Sequence, residues 1–187
     1  WAIARGETTT GVTTMQIDEG LDTGPILLSK STLIGPEETA ADLEPRLAAL
    51  GAKALVETLQ GLQEGRLHPV PQDASQATHA PILRKEDGRV AWDRPASEIA
   101  SRIRGFFPWP GAQASLQGRG LRILKARPEQ GAGAAGTVLE VERRGVVVAC
   151  GTGALRLLEV QPESRRAMDA YSFAAGARLR TGDRFDP

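Results

Sequence analysis

The stretch Gly11–Lys30, GVTTMQIDEGLDTGPILLSK, sets two short apolar runs, Val12–Ile17 and Pro25–Leu28, about the hinge Asp18-Glu19-Gly20-Leu21-Asp22-Thr23-Gly24. The first run alternates and is β-rich, which predicts a strand; Ile26–Ser31 predicts a second one. Gly20 and Gly24 open backbone conformations closed to other residues and let a ligand approach the main chain. Asp22 lies between them, where strand gives way to loop. A rigid strand end presenting an acid beside exposed main-chain groups is a common way to build a site. Taken bare, the same pattern describes an acidic hairpin turn, and that plainer reading is the commoner one.

Outward from the hinge, Trp1-Ala2-Ile3-Ala4 reads as the end of a helix and Gly6–Thr10 as a turn. Downstream, Leu43, Leu47, Leu50, Ala54, Leu55, Leu59 and Leu62 recur at helical spacing and predict one apolar stripe packed on a sheet. Gly51 interrupts that run, so two helices are expected, over 42–50 and 52–64. Pro45 is tolerated in a first turn, which places the helix start near Asp42, with Thr39 as the alternative cap. Residues 68–84 carry Pro69, Pro71 and Pro81 without apolar period, as a linker does. A short helix follows Pro95, with Ile99, Ile103 and Phe106 on one side, and Phe107-Pro108-Trp109-Pro110 ends it.

From there the period becomes two. Gly111–Leu116, Leu121–Ala126, Thr137–Glu142, Val146–Cys150 and Leu155–Val160 predict five strands, and Asp169–Arg178 a last helix. Five short strands with glycine-rich connections suggest a small OB-like β-barrel, a frequent RNA-binding scaffold. Trp92, Trp109, Phe106 and Phe107 read as core, with Trp109 plugging the barrel or the domain junction.

Composition narrows the classes. The chain of 187 residues is 41% hydrophobic, enough for one domain or two small ones. Its net charge is zero, but residues 1–83 hold 5 basic and 11 acidic side chains, whereas 84–187 hold 18 and 12. That asymmetry points to a basic half facing an anionic partner. Cys150 stands alone, which excludes an intrachain disulfide and fits a reducing cytosol. His68 and His79 lack partners at ligand spacing, so no metal site is expected. No apolar run reaches the roughly 20 residues of a membrane span.

Several blocks, in order, resemble the folate-dependent formyltransferases: Gly11-Val12-Thr13, Gly20-Leu21-Asp22-Thr23-Gly24-Pro25, Phe107-Pro108-Trp109-Pro110, Leu157–Pro162 and Arg165-Arg166-Ala167-Met168. The resemblance covers nearly the whole chain. It implies that residues 1–67 are the C-terminal part of a Rossmann-like formyltransferase domain. Residues 68–84 would then be a linker and 85–187 an OB-like tRNA-binding domain. It implies a cytoplasmic, monomeric enzyme of translation initiation that transfers a formyl group from 10-formyltetrahydrofolate to the α-amine of initiator methionyl-tRNA. A UDP-amino-sugar acceptor, or a tRNA-binding role without catalysis, is the alternative. Asp22 would relay the proton of the attacking amine, while the backbone of Glu19, Gly20 and Leu21 would touch the pterin edge. The side chains of Asp18 and Glu19 read as solvated loop acids.

The family's Asn, His and Ser-Leu-Leu-Pro segment match nothing here. The chain is therefore expected to be a C-terminal portion, inactive alone. Phosphate contacts are expected from Arg84, Lys85, Arg102, Arg122, Lys125, Arg143, Arg144, Arg165 and Arg166. Ser164 stands where the family carries a glycine before its basic pair. Arg122 and Arg156, within alternating strands, are expected on a wet face.

Overall fold

The computed structural model describes residues 1–186, which separate into two units. One is Glu7–Ile82; the other joins Trp1–Gly6 to the chain from Leu83 onward.

In the first unit β1 (Thr9–Met15) and β2 (Ile26–Leu33) pair antiparallel, with Val12 opposite Lys30. A bulge between Thr14 and Met15 ends the ladder, so the strand stops short of Ile17, which is 89% exposed. The helix that follows is single and continuous, α1 (Ala40–Gln63), in place of the two expected. Thr39 caps it in a reciprocal box with Asp42, so the earlier of the two starts is the one used. Pro45 then lies in the second turn and leaves the carbonyl of Ala41 without its usual donor.

Gly51 does not break α1. A Cβ there would meet Val12 Cγ1 at 3.4 Å, so the glycine lets helix and strand approach. The predicted stripe divides instead. Leu43, Ala54, Thr58 and Gly61 are buried, whereas Leu55, Leu59 and Leu62 are 52%, 58% and 42% exposed. Thr58 Oγ1 donates to the Ala54 carbonyl (2.7 Å) and shares a hydrogen bond with Thr14 Oγ1 (2.8 Å), which ties α1 to β1.

The second unit is β-rich. Helix α2 (Ala96–Gly105) buries Ile99 and Ile103, and Phe106 follows it at 1% exposure. Six strands follow: β3 (Ala112–Leu116), β4 (Arg119–Glu129), β5 (Val138–Glu142), β6 (Gly145–Ala149), β7 (Ala154–Pro162) and the two-residue β8 (Met168–Asp169). All five predicted strands are present. The order is β3-β4-β7-β6-β5, with β8 added to β7. Among the described residues the edge strands β3 and β5 do not pair with each other, so the ladder is not a closed barrel.

The tail spans that gap. Val138 N–H donates to the Asp183 carbonyl and Phe185 N–H to that of Gly136, while Asp186 N–H donates to Ser115 of β3. Edges covered by a loop need no strand partner.

Inside, Val138, Val146, Val148, Leu155, Leu157 and Val160 are at most 1% exposed, and Trp92 packs on Phe185 with ring centroids 5.0 Å apart. Trp92 and Phe106 are core, as expected. Trp109 is not a plug: it is 58% exposed, whereas Phe106 is buried. The last helix, α3 (Ala170–Ala177), starts at Asp169, whose carboxylate accepts from Ser172 N–H at 2.8 Å. Trp1 packs edge-on against Phe106, and Ile3 and Ala4 are buried with it.

Arg156, expected on a wet face, is 8% exposed. Its Nε and Nη2 grip Glu129 at 2.6 and 2.9 Å, with Glu142 at 3.4 Å and Glu140 at 3.6 Å. Three carboxylates converging on one strand position draw the guanidinium down onto the sheet.

Candidate functional site

The hinge between β1 and β2 is built by side chains that sequence patterning passes over. Asp18 Oδ1 accepts from Gly20 N–H (3.1 Å) and from Thr23 Oγ1 (2.8 Å), which closes a tight loop around Glu19–Asp22. Asp18 is thus an organiser of the turn and more than a solvated acid. Gly24 has no room for a side chain, since a Cβ would stand 1.7 Å from the Gln16 carbonyl oxygen. Asp22 itself adopts a left-handed φ of 56°, a conformation that Asp tolerates better than most residues. Its carboxylate has no hydrogen-bond partner among the described residues and is exposed.

The other clamp comes from the proline-rich segment. Val70 and Ile26 exchange backbone hydrogen bonds (2.8 and 2.9 Å), and Gln72 Nε2 donates to the carbonyls of Asp22 (2.8 Å) and Gly24 (2.7 Å). Gln72 was not legible as a site residue. The one available signal was its place in a segment that packs against nothing periodic.

Of the backbone expected to meet the pterin, Gly20 N–H is already donated to Asp18. Glu19 and Leu21 are exposed, and Leu21 offers an apolar side chain 95% in solvent. A flat heterocycle needs such an apolar face beside open main-chain groups, and the loop supplies both.

The basic residues divide by what they touch. Arg102 is turned inward: Nη2 donates to the Asp87 carbonyl (2.9 Å) and the guanidinium lies 4.8 Å from the Phe106 ring. Burial lowers its pKa from the ordinary arginine value. Arg122 Nη2 donates to the Pro108 carbonyl (2.8 Å), Lys125 lies 3.8 Å from Glu159, and Arg144 pairs with Glu142 at 2.6 Å. Arg84, Lys85, Arg143, Arg165 and Arg166 are exposed, and no acid forms an ion pair with their side chains among the described residues. Arg165 and Arg166 follow Ser164, which holds a left-handed φ of 59° in the turn after β7.

Among the described residues no group of three or more His, Cys, Asp or Glu could hold a metal ion, and no helix is long and apolar enough to cross a membrane. Burial pushes the Cys150 thiol up to about 11, so it is no nucleophile at neutral pH.

An acid-bearing hinge in one unit and a basic-rimmed β-sheet in the other match known proteins in the same order. Residues 82–178 match the formyl transferase C-terminal domain, and residues 1–59 match the formyl transferase model that precedes it. The chain belongs to the formyl transferase family.

Within that family its similarity is to methionyl-tRNA formyltransferases. It is 55% identical over 179 residues to that of Solibacter usitatus, covering 96% of this chain and 58% of the relative. It is 55% identical over 183 residues to that of Anaeromyxobacter dehalogenans strain 2CP-1, covering 95% and 59%. HypX from Aquifex aeolicus, solved in complex with tetrahydrofolic acid, shares the fold at a TM-score of 0.64 and 20% identity, over 98% of this chain and 33% of HypX. The chain spans less than three fifths of the length of the curated relatives it matches.

Proposed function

We propose that this chain supplies two parts of an enzyme that formylates initiator methionyl-tRNA from 10-formyltetrahydrofolate. Residues 1–67 belong to the transferase domain and 85–187 form an OB-like tRNA-binding domain, joined through 68–84. The observation that carries the reading is Asp22: an unpartnered carboxylate held at a left-handed hinge between Asp18 and Gln72, in a chain 55% identical to methionyl-tRNA formyltransferases.

The donor, when bound, supplies the formyl group. Asp22 accepts a proton from the amine as its nitrogen bonds to the formyl carbon, which leaves that nitrogen neutral in the product. The same carboxyl then holds a proton for the nitrogen that leaves. Leu21 and the Glu19–Leu21 backbone position the donor's ring.

The oxyanion of the intermediate needs hydrogen-bond donors of its own. The sequence has no asparagine, and His68 and His79 sit in the exposed segment after α1. On the RNA side, Arg84, Lys85, Arg143, Arg165 and Arg166 offer uncommitted charge, with Arg144 and Lys125 available by exchange of weak surface pairs. Arg102 and Arg122 act by shaping that surface through their internal hydrogen bonds.

The test is a chimera in which residues 1–187 replace the matching part of the Solibacter relative. Formyl transfer to initiator methionyl-tRNA is expected. Transfer to a nucleotide-linked amino sugar with none to tRNA would reject the reading.

A further inference from the structure

A cleft of about 550 Å³ opens on the β-rich unit between the β3–β4 turn, the turn after β7, and α3. Its floor is apolar, made by Leu116, Leu121, Met168 and Phe173. Its rim carries Arg119 and Arg165, both exposed and neither paired with an acid among the described residues. Glu163 is the one acid that lines it.

Two non-glycine residues on the rim, Gln117 and Ser164, hold left-handed φ angles of 52° and 59°. Gln117 with Gly118 is an ordinary hairpin turn. Ser164 is not explained that way, and a held left-handed residue marks a turn that surrounding structure keeps in place. An apolar floor wide enough for an aromatic ring, flanked by two free guanidinium groups, matches a nucleotide: base below, phosphate above.

We propose that this cleft receives one unpaired nucleotide of bound RNA. The base lies against Phe173 and Met168, the flanking phosphate meets Arg119 and Arg165, and Glu163 accepts from an exocyclic amine, which disfavours uracil, the base without one. The inference rests on the RNA-binding reading of this unit and adds the place where a single base is held.

Gly176 of α3 gives a clean test, because it lines the cleft and a Cβ there would have no neighbour within 4 Å. Gly176→Leu fills the cleft while replacing a helical glycine, so it folds at least as well as the parent. Binding of the whole chain to a fully paired RNA duplex is compared with binding to the same duplex bearing one bulged cytidine. A parallel titration with CMP follows the backbone amides of Gln117, Gly120, Ser164 and Gly176.

The parent is expected to prefer the bulged duplex by about tenfold. Gly176→Leu should lose that preference yet keep its affinity for the paired duplex within about twofold. Equal binding of both RNAs by the parent, or a preference that survives Gly176→Leu, overturns the cleft assignment while leaving RNA binding intact. If neither RNA binds, the RNA reading of the unit fails. The CMP titration then decides between a site for a free nucleotide, shown by shifts at those amides, and no nucleotide site, shown by their absence.

Discussion

Gln72 reaches back from the proline-rich segment to two carbonyls of the hinge, one of them that of Asp22. Removing the amide costs two hydrogen bonds, one of them part-buried, each worth about 0.5–1.5 kcal/mol. Gln72→Ala should therefore lower the melting temperature by a few degrees while loosening the loop. In the chimera kcat should fall by about tenfold, with the affinity for tRNA unaltered; an equal loss of tRNA affinity would show that Gln72 acts elsewhere. Ser164 presents the opposite case. A left-handed non-glycine costs roughly 1–2 kcal/mol, and the added backbone freedom of glycine offsets about 0.5–1. Ser164→Gly is expected to raise stability slightly in thermal unfolding; a clear loss would mean that the serine hydroxyl holds the turn.

At the scale of elements, the β-sheet carries a charge cluster centred on one buried arginine. Arg156 of β7 meets Glu129 of the adjacent β4 and, across β6, Glu140 and Glu142 of β5. The three glutamates keep contact with solvent, so their pairs are worth less than buried ones, and Arg156→Met should be moderately destabilising in urea unfolding at neutral pH. Glu142 is held below the usual carboxylate range by its hydrogen bond from Arg144 and by the charges of Arg144 and Arg156. Its stabilising contribution is complete above the unfolded value of about 4.3 and is lost as pH falls through its lower folded value. The gap between the parent and Arg156→Met should accordingly narrow below about pH 4. A gap that is constant with pH would show that the loss is one of packing and owes nothing to charge.

Much of this level was legible in the sequence. Strand alternation marked the five main strands, and the stretch Asp169–Arg178 marked α3. What escaped was tertiary. Gly51 looked like a helix break because its contact with Val12 cannot be read locally. Arg156 looked wet because its glutamates arrive from other strands. Two-residue β8 is too short to show a period, and the closing tail has none.

At the scale of the whole molecule, charge divides between the two units. The acid-bearing hinge lies in Glu7–Ile82, and the uncommitted arginines lie in the β-rich unit. Binding of tRNA by the chain should weaken steeply with salt, and Arg165→Ala with Arg166→Ala should lower the slope of log K against log salt by about one each. An unchanged slope would remove that turn from the RNA surface. By itself the chain is expected to bind tRNA and transfer no formyl group, which an assay of the isolated chain with formyl donor and methionyl-tRNA checks.

The geometry of the hinge was half legible. The two glycines that frame Asp22 were visible in the sequence, whereas Asp18 and Gln72 act through hydrogen bonds that no spacing announces. Trp109, read as a plug, turned out to face solvent.

The proton-handling role proposed for Asp22 is tested most directly by single-turnover formyl transfer in the chimera. Asp22→Asn keeps the shape and removes the base, and it should slow the chemical step by about 10²–10⁴ with tRNA affinity unchanged. A rate within twofold of the parent would contradict the account.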